Sequence, residues 1–310
     1  TVNKMCGSGL QAVMMAADTL AAGNAEVVVA GGMESMTGAP YVMAKHRGGA
    51  RIGHDVISDS MYLDGLEDAY TPGKLMGAFA EEAAQSYQFS REAQDAYAVE
   101  SLTRARAAIG SGAFAAEITP VEVVGRKGSV TVSEDEQPGK AAIEKIPTLK
   151  PAFAKDGTIT AANASSISDG AAALVLTRQS VAEALGLPVV ARIVSQSAHA
   201  HAPGLFTTAP VPAMQKALKK AGWSVEDVDL WEINEAFAVV PMIAMQELGI
   251  DHARVNVNGG ACALGHPIGA SGARVMATLL AALQARGGKK GMASLCIGGG
   301  EAVAVAVEMV

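Results

Sequence analysis

Cysteine, aromatic residues and basic charge are all scarce in this chain, and each shortage excludes a class of protein. There are three cysteines among 310 residues, with no Cys-x-x-Cys pair and no histidine spacing suited to zinc. A disulfide scaffold and a zinc module are excluded, no metal is called for, and free thiols fit a reducing, cytoplasmic compartment. Lys and Arg number 24 against 31 Asp and Glu, a net charge of −7 with a pI of about 5.4. A nucleic-acid binder would carry a basic face instead. The small basic clusters, Lys45-His46-Arg47 with Arg51 and then Arg126-Lys127, read as solvated loops or as local attraction for an anionic ligand. No run of eighteen apolar residues occurs, so no helical membrane span is expected. Aromatic residues make up only 4 % of the chain while half of it is hydrophobic, so the core is aliphatic and alanine-rich, and large enough for two domains.

What is present is an internal repeat. After Val2-Asn3 come a glycine turn, a helix over 10–22, Gly23-Asn24, and an apolar strand over 26–30 that closes on Gly31-Gly32-Met33-Glu34. After Val255-Asn256 come a glycine turn, a helix opened by Ser271-Gly272, Gly287-Gly288, and a strand over 292–296 that closes on Gly298-Gly299-Gly300-Glu301. Shared element order and shared punctuation predict an α/β fold of two related βαβ-type halves about a pseudo-twofold axis.

Between the halves the chain is richer in charge and in Gly/Pro breaks. Ser90 reads as the cap of a helix reaching about residue 109, and 122–124 with 130–132 as a hairpin across Arg126-Lys127-Gly128. A structureless loop of that length is not expected, so an inserted, lid-like subdomain is. The domain reading is a first half of 1–36 and 167–182, an insertion of 37–166, and a second half of 183–310. A buried strand is expected over 171–176. The first half supplies only its final unit, so at least one strand–helix unit is expected upstream of Thr1, and residues 1–310 alone are not expected to be a complete folding unit.

Three residues stand at glycine-rich junctions. Cys6 lies after a strand end and before a helix, where exposed N–H groups and the helix dipole would lower its pKa and make it a nucleophile. Gly7 and Gly9 would clear space for a bulky acyl donor. His266 is held beside Pro267 on a turn, as a general base for Cys6. Cys296 ends an apolar strand and suits a second acid/base, with the Gly298 N–H free to point inward as an oxyanion donor. The competing readings are a small buried hydrophobe for Cys6, a structural His266, and a Cys6–Cys296 disulfide. Cys262 reads as packing, and Asn234, following a strand, as a helix cap or a site residue.

These stretches resemble the thiolase family along the whole chain. The resemblance rests on Cys6-Gly7-Ser8-Gly9, Gly31-Gly32-Met33-Glu34-Ser35-Met36, Asn234-Glu235-Ala236-Phe237, Cys296-Ile297-Gly298-Gly299-Gly300 and the long run from Asn256 through Gly265-His266-Pro267 to Gly272. It implies a layered α-β-α-β-α core and reversible condensation of two acetyl-CoA to acetoacetyl-CoA and CoA through an acetyl-Cys6 intermediate. It also implies no cofactor beyond the CoA thioester substrates, and a homotetramer joined by an arm over 41–66. Asn234 would anchor a water that forms one oxyanion hole with His266, and the Cys6 and Gly298 N–H groups would form the other. The pantetheine would run past Met76, Phe153, Ala164, Ser165, Ile167, Ala236 and Phe237, with Ser165 hydrogen-bonding it. Lys140 stands near where the family's nucleotide-binding arginine would be, Ser166 and Leu75 replace the more usual Gly and His, and Glu301 a more usual Gln or Met. A degradative 3-ketoacyl-CoA thiolase of broader chain length is the alternative, and a non-catalytic acyl carrier a more distant one. A decarboxylating synthase would place two histidines at the site, and a cysteine protease gives no reason for the repeat.

Overall fold

A computed structural model of the chain describes residues 1–126 and 128–310, so the Lys127 part of the expected basic turn lies outside the described residues. Two helices, Ser8–Ala21 and Ser271–Arg286, lie against each other at the centre. On one side is a two-stranded antiparallel sheet of Val27–Ser35 and Asp169–Thr177, in register from Val27↔Thr177 to Ser35↔Asp169. On the other is a four-stranded mixed sheet, ordered Ala191–Ala200, Glu301–Met309, Lys290–Ile297, Leu230–Ile233, with only the last pair parallel. Helices Pro210–Ala221 and Val239–Leu248 cover the far face of that larger sheet.

The pleat decides which layer each strand residue joins. Leu295, Ile297, Val303 and Val305 point inward and pack with Leu10, Val13, Val275 and Leu279 of the central helices. Met292, Cys296, Ala302 and Ala304 point to the other face, among Met214, Ile243, Trp231 and Phe237. Alternation along one strand therefore puts Cys296 on the side opposite the central helices.

The central helices touch backbone to backbone. A Cβ on Gly272 would stand 2.1 Å from the Leu10 nitrogen, and one on Gly9 would stand 2.7 Å from the Ala273 nitrogen. Gly32 closes the same corner, where a Cβ would lie 1.9 Å from the Gly269 carbonyl. The repeated Ser-Gly helix start is thus a reciprocal contact across the pseudo-twofold.

The insertion carries helices Met76–Ser86 and Arg91–Ser111 and the hairpin Val121–Gly125 with Gly128–Val132. Ser90 caps the second helix, its Oγ accepting from the Ala93 N–H at 3.2 Å.

Four expectations are corrected. Residues 1–4 pair with no strand among the described residues. Strand Asp169–Thr177 is not buried on both faces: the cross-strand pair Val29 and Val175 is 69 % and 70 % exposed, because the central helices cover only one face of that sheet. Asn234 caps no helix, since the next begins at Val239. Gly7 and Gly9 clear no room for a ligand; Gly7 makes way for Ile297, whose Cδ1 would lie 2.4 Å from an added Cβ, and Gly9 for the second helix.

Replacing Gly272 by Ala forces backbone against backbone and should cost about 1–3 kcal/mol, as overpacking does elsewhere. Gly110→Ala, where a Cβ meets open space, should leave stability unchanged or raise it. Denaturant unfolding of the two variants, compared with the parent chain, checks this.

Candidate active site

Cys6 sits in a single helical turn, Met5–Gly7, just before the helix Ser8–Ala21. Met5 has φ +46°, a left-handed backbone that a residue with a Cβ adopts only when its surroundings hold it there. They do so with three hydrogen bonds. The Met5 N–H donates to Asn3 Oδ1 (3.0 Å), Ser8 Oγ donates to the Met5 carbonyl (2.7 Å), and the Lys4 N–H donates to Ser8 Oγ (2.8 Å). Ser8 is therefore the keystone of the turn.

Burial pushes the Cys6 thiol up to about 11, with the backbones of Gly298 and of Cys6 itself pulling the other way and Glu34 adding to the rise. This reverses the expectation of a lowered pKa. The helix start is present, but dehydration of a thiolate outweighs it. Gly298 is nevertheless placed beside the sulfur, as expected. Burial also raises Cys296 well above the ordinary thiol range, and Cys6 is the next cause, so the two thiols share one site. All three cysteines are free.

His266 is buried, and burial with the nearby Arg274 charge drives its pKa down to about 3. Its ring is therefore neutral, and its neighbours define the tautomer. Ser271 Oγ donates to the Pro267 carbonyl (2.9 Å), so it must accept from His266 Nδ1–H (2.5 Å). Nε2 keeps its lone pair, which accepts from Asn234 Nδ2 at 3.5 Å. Asn234 is anchored by its own N–H to the Ser294 carbonyl (3.0 Å), and its Oδ1 is buried with no partner. Two thiols and the Gly298 backbone thus meet around Cys6, and the loop carrying His266 and facing Asn234 packs through Gly269 against Gly9, three residues on from Cys6.

Comparison with known proteins agrees with that arrangement. Residues 1–180 match the family model described as Thiolase, N-terminal domain, and residues 187–309 match Thiolase, C-terminal domain. The chain belongs to the thiolase family. It is 53 % identical to an acetyl-CoA acetyltransferase of Pseudomonas aeruginosa over 307 residues, 98 % of this chain and 78 % of that one. The crystal structure of the Bacillus anthracis acetyl-CoA acetyltransferase superposes with a TM-score of 0.96 at 44 % identity, covering all of this chain and 78 % of that one. The Acat5 thiolase from Ascaris suum, in complex with coenzyme A, superposes with a TM-score of 0.94 at 43 % identity, over 100 % of this chain and 79 % of its own.

In this thiolase most of the expected substrate residues form one wall. Met76 Sδ would be 3.2 Å from a Cβ on Gly298, so it borders the Gly298 turn. Phe153 packs beneath Gly77 and meets Phe237 edge-on at 5.9 Å. Ala164 bridges to Phe237, and Ser165 directs both its N–H and its Oγ to the Ala236 carbonyl at 3.0 Å. The Ser165 hydroxyl hydrogen is therefore already engaged, leaving its oxygen lone pairs to meet a ligand. Ile167 stands half-exposed at the solvent end. Ser166 accepts the His266 N–H through its carbonyl (3.3 Å), while its hydroxyl meets Gln137 Nε2. Lys140 bonds Glu136 on the surface at 2.6 Å.

Several residues went unread in the sequence. Glu34 accepts the Gly269 N–H (3.0 Å), so the end of the first strand holds the histidine loop. Glu235 is fully buried and takes four donors: Tyr97 Oη (2.9 Å), Asn256 Nδ2 (2.8 Å), Ser101 Oγ (2.8 Å) and the Cys262 N–H (3.0 Å). It ties the lid helix to the loops on either side of the site. Each stands inside a motif already singled out, and adjacency to Asn234 was the one available signal for Glu235. Glu232, on the strand leading to Asn234, is raised to about 8 by burial despite Arg274 Nη1 at 3.7 Å.

Ser271→Ala should free the His266 ring to adopt the other tautomer. Turnover should fall by about 10- to 100-fold, the range seen when a group orienting a reactive imidazole is lost, with little change in the Michaelis constant. Steady-state kinetics against acetyl-CoA tests this, and a change confined to the Michaelis constant would refute the positioning role.

Glu232 and His266 act in opposite pH windows. Glu232 is raised from 4.5 to about 8, so its contribution is present below pH 4.5 and is lost as pH rises to 8. His266 is depressed from 6.5 to about 3, so its contribution is present above pH 6.5 and is lost as pH falls to 3. Glu232→Gln should therefore flatten the fall in stability between pH 5 and 8 by up to about 1.4 kcal/mol per pH unit. Denaturant midpoints at stepped pH check the sign.

Proposed function

We propose that this thiolase is an acetyl-CoA C-acetyltransferase that joins two acetyl-CoA into acetoacetyl-CoA and CoA, and runs in reverse as thiolysis. The observation that carries the reading is a neutral His266 with an unprotonated Nε2, on a loop packed against the helix start that carries Cys6, whose thiol shares its surroundings with Cys296. With Cys6, Cys296 and His266 all neutral at rest, Cys6 loses its proton to His266 as its sulfur attacks the first thioester. The developing oxyanion is met by the N–H groups of Cys6 and Gly298, which lie beside the sulfur and need no side-chain space. Cys296 gives its proton to the departing sulfur, so CoA leaves as a thiol, Cys6 holds the acetyl group, and His266 keeps the Cys6 proton on Nε2.

The second acetyl-CoA presents its thioester oxygen to the Nε2–H that His266 now carries and to a water held by Asn234. The unpartnered Asn234 Oδ1 is a ready acceptor for a water at this place. The Cys296 thiolate removes a proton from the methyl carbon, the carbanion attacks the acetyl-Cys6 carbonyl, and the Cys6 sulfur leaves as a thiol with the proton returned by His266. The wall of Met76, Phe153, Ala164, Ser165, Ala236 and Phe237 leads from solvent to these groups and suits a pantetheine arm. The CoA thioesters are substrates, and the chemistry calls for no further cofactor.

We infer a cytoplasmic homotetramer as the working form. The free thiols support the compartment, and no helix among the described residues is long and apolar enough to cross a membrane. Tyr41, Ile52, Val56 and Ile57, all more than half exposed on the 41–66 segment, support an arm that joins copies of the chain.

Cys6→Ala should abolish acetyl labelling by acetyl-CoA, whereas Cys296→Ala should label normally and stall before the new carbon–carbon bond. Intact-mass measurement of the acetyl adduct, with product analysis alongside, separates the two steps. Equal loss of labelling in both variants would overturn the division of roles.

A further inference from the structure

We propose that Lys4 and Glu301 form a positioning pair that sets the spacing between the turn carrying Cys6 and the turn carrying Gly298. Lys4 Nζ meets Glu301 Oε2, joining residues 297 positions apart in the chain. Lys4 is the residue immediately before the Met5–Gly7 turn, and its backbone is fastened to it at both ends. Its N–H donates to Ser8 Oγ (2.8 Å), and its carbonyl accepts from the Gly7 N–H (3.0 Å). A displacement of Lys4 is therefore passed directly to Cys6.

Glu301 stands at the other end of the tie. It opens the strand Glu301–Met309, opposite Ile297 in the register, directly after Gly298-Gly299-Gly300. Gly299 and Gly300 have φ of +97° and +88°, so this turn has no side chains of its own to pack. Glu301 is the first side chain after it. The ion pair runs alongside the apolar contact of Gly7 with Ile297, giving the two turns one polar and one apolar tie.

The side chains of Lys4 and Glu301 are 26 % and 38 % exposed, and such pairs contribute little to global stability. Their effect falls on geometry instead. The oxyanion donors proposed above come one from each turn, and such donors lose their effect when displaced by a fraction of an ångström. The inference rests on the reading of Cys6 as the acylated nucleophile. Neither Lys4 nor Glu301 touches reacting atoms in it.

The test is a double-mutant cycle on the purified enzyme: Lys4→Met, Glu301→Gln and the two together, with Lys4→Arg as the conservative variant. The single-turnover rate of Cys6 acetylation at saturating acetyl-CoA is read by quenched intact mass, with thermal midpoints as the control for folding. Each single variant should slow acetylation about tenfold, with half-saturation changed by less than about twofold, and the double should be no slower than the slower single. Lys4→Arg should stay within about threefold of the parent. Single variants at the parental rate, or a double showing the product of both losses, would overturn the pairing. A parental enzyme that takes up no acetyl group would overturn the acetyltransferase reading, and this inference with it.

Discussion

The contact on which the rest of this structure depends is the one between two helix starts. Gly9 and Gly272 let the helices Ser8–Ala21 and Ser271–Arg286 meet at backbone distance, with Gly32 and Gly269 closing the corner. Cys6 lies two residues before one helix, and His266 five residues before Ser271 at the start of the other. A side chain at either glycine would push those starts apart by more than the tolerance of a proton transfer. Close packing at a place with no apparent chemistry is thus what brings nucleophile and base within one site.

Electrostatics follow from that closeness. Burial between the packed layers moves four titratable groups of the site toward their neutral forms. Cys6 and Cys296 rise, Glu232 rises, and His266 falls, all with burial as the leading cause. A thiolate–imidazolium pair waiting in the resting site is not what this arrangement favours. In the proposed reaction, charge appears where the substrate carbonyl brings it, and the Cys6 and Gly298 N–H groups would stabilise it without reorganising. Glu235 shows the complementary solution. Its two buried carboxyl oxygens are satisfied by four donors, and there they serve to lock loops together.

The positions of Cys6, His266, Cys296 and Asn234 were legible because each stands in a run of residues whose conformational demands are local. Glycine and proline announce a turn, and a thiol or imidazole inside one is free of the periodic stripe of a core helix. The repeated Ser-Gly helix start was legible for the same reason. The effect of Gly7 and Gly9 was misread, because a glycine without a Cβ looks the same whether it admits a ligand, a side chain or another helix. The pKa of Cys6 was misread because a helix start is visible in the sequence and burial is not.

The sequence by itself therefore determined the repeated helix-then-strand order, the four groups proposed for the chemistry and the family to which the chain belongs. All of these follow from short-range backbone preference and from residue type. Only the tertiary structure decided how those groups are tuned: Ser271 setting the His266 tautomer, Glu34 holding the Gly269 loop, Glu235 joining lid to core, and Lys4 meeting Glu301. Glu34 reaches its partner across 235 residues and Lys4 across 297. Contacts at such separations depend on how completed elements pack, and no local rule relates their residue types.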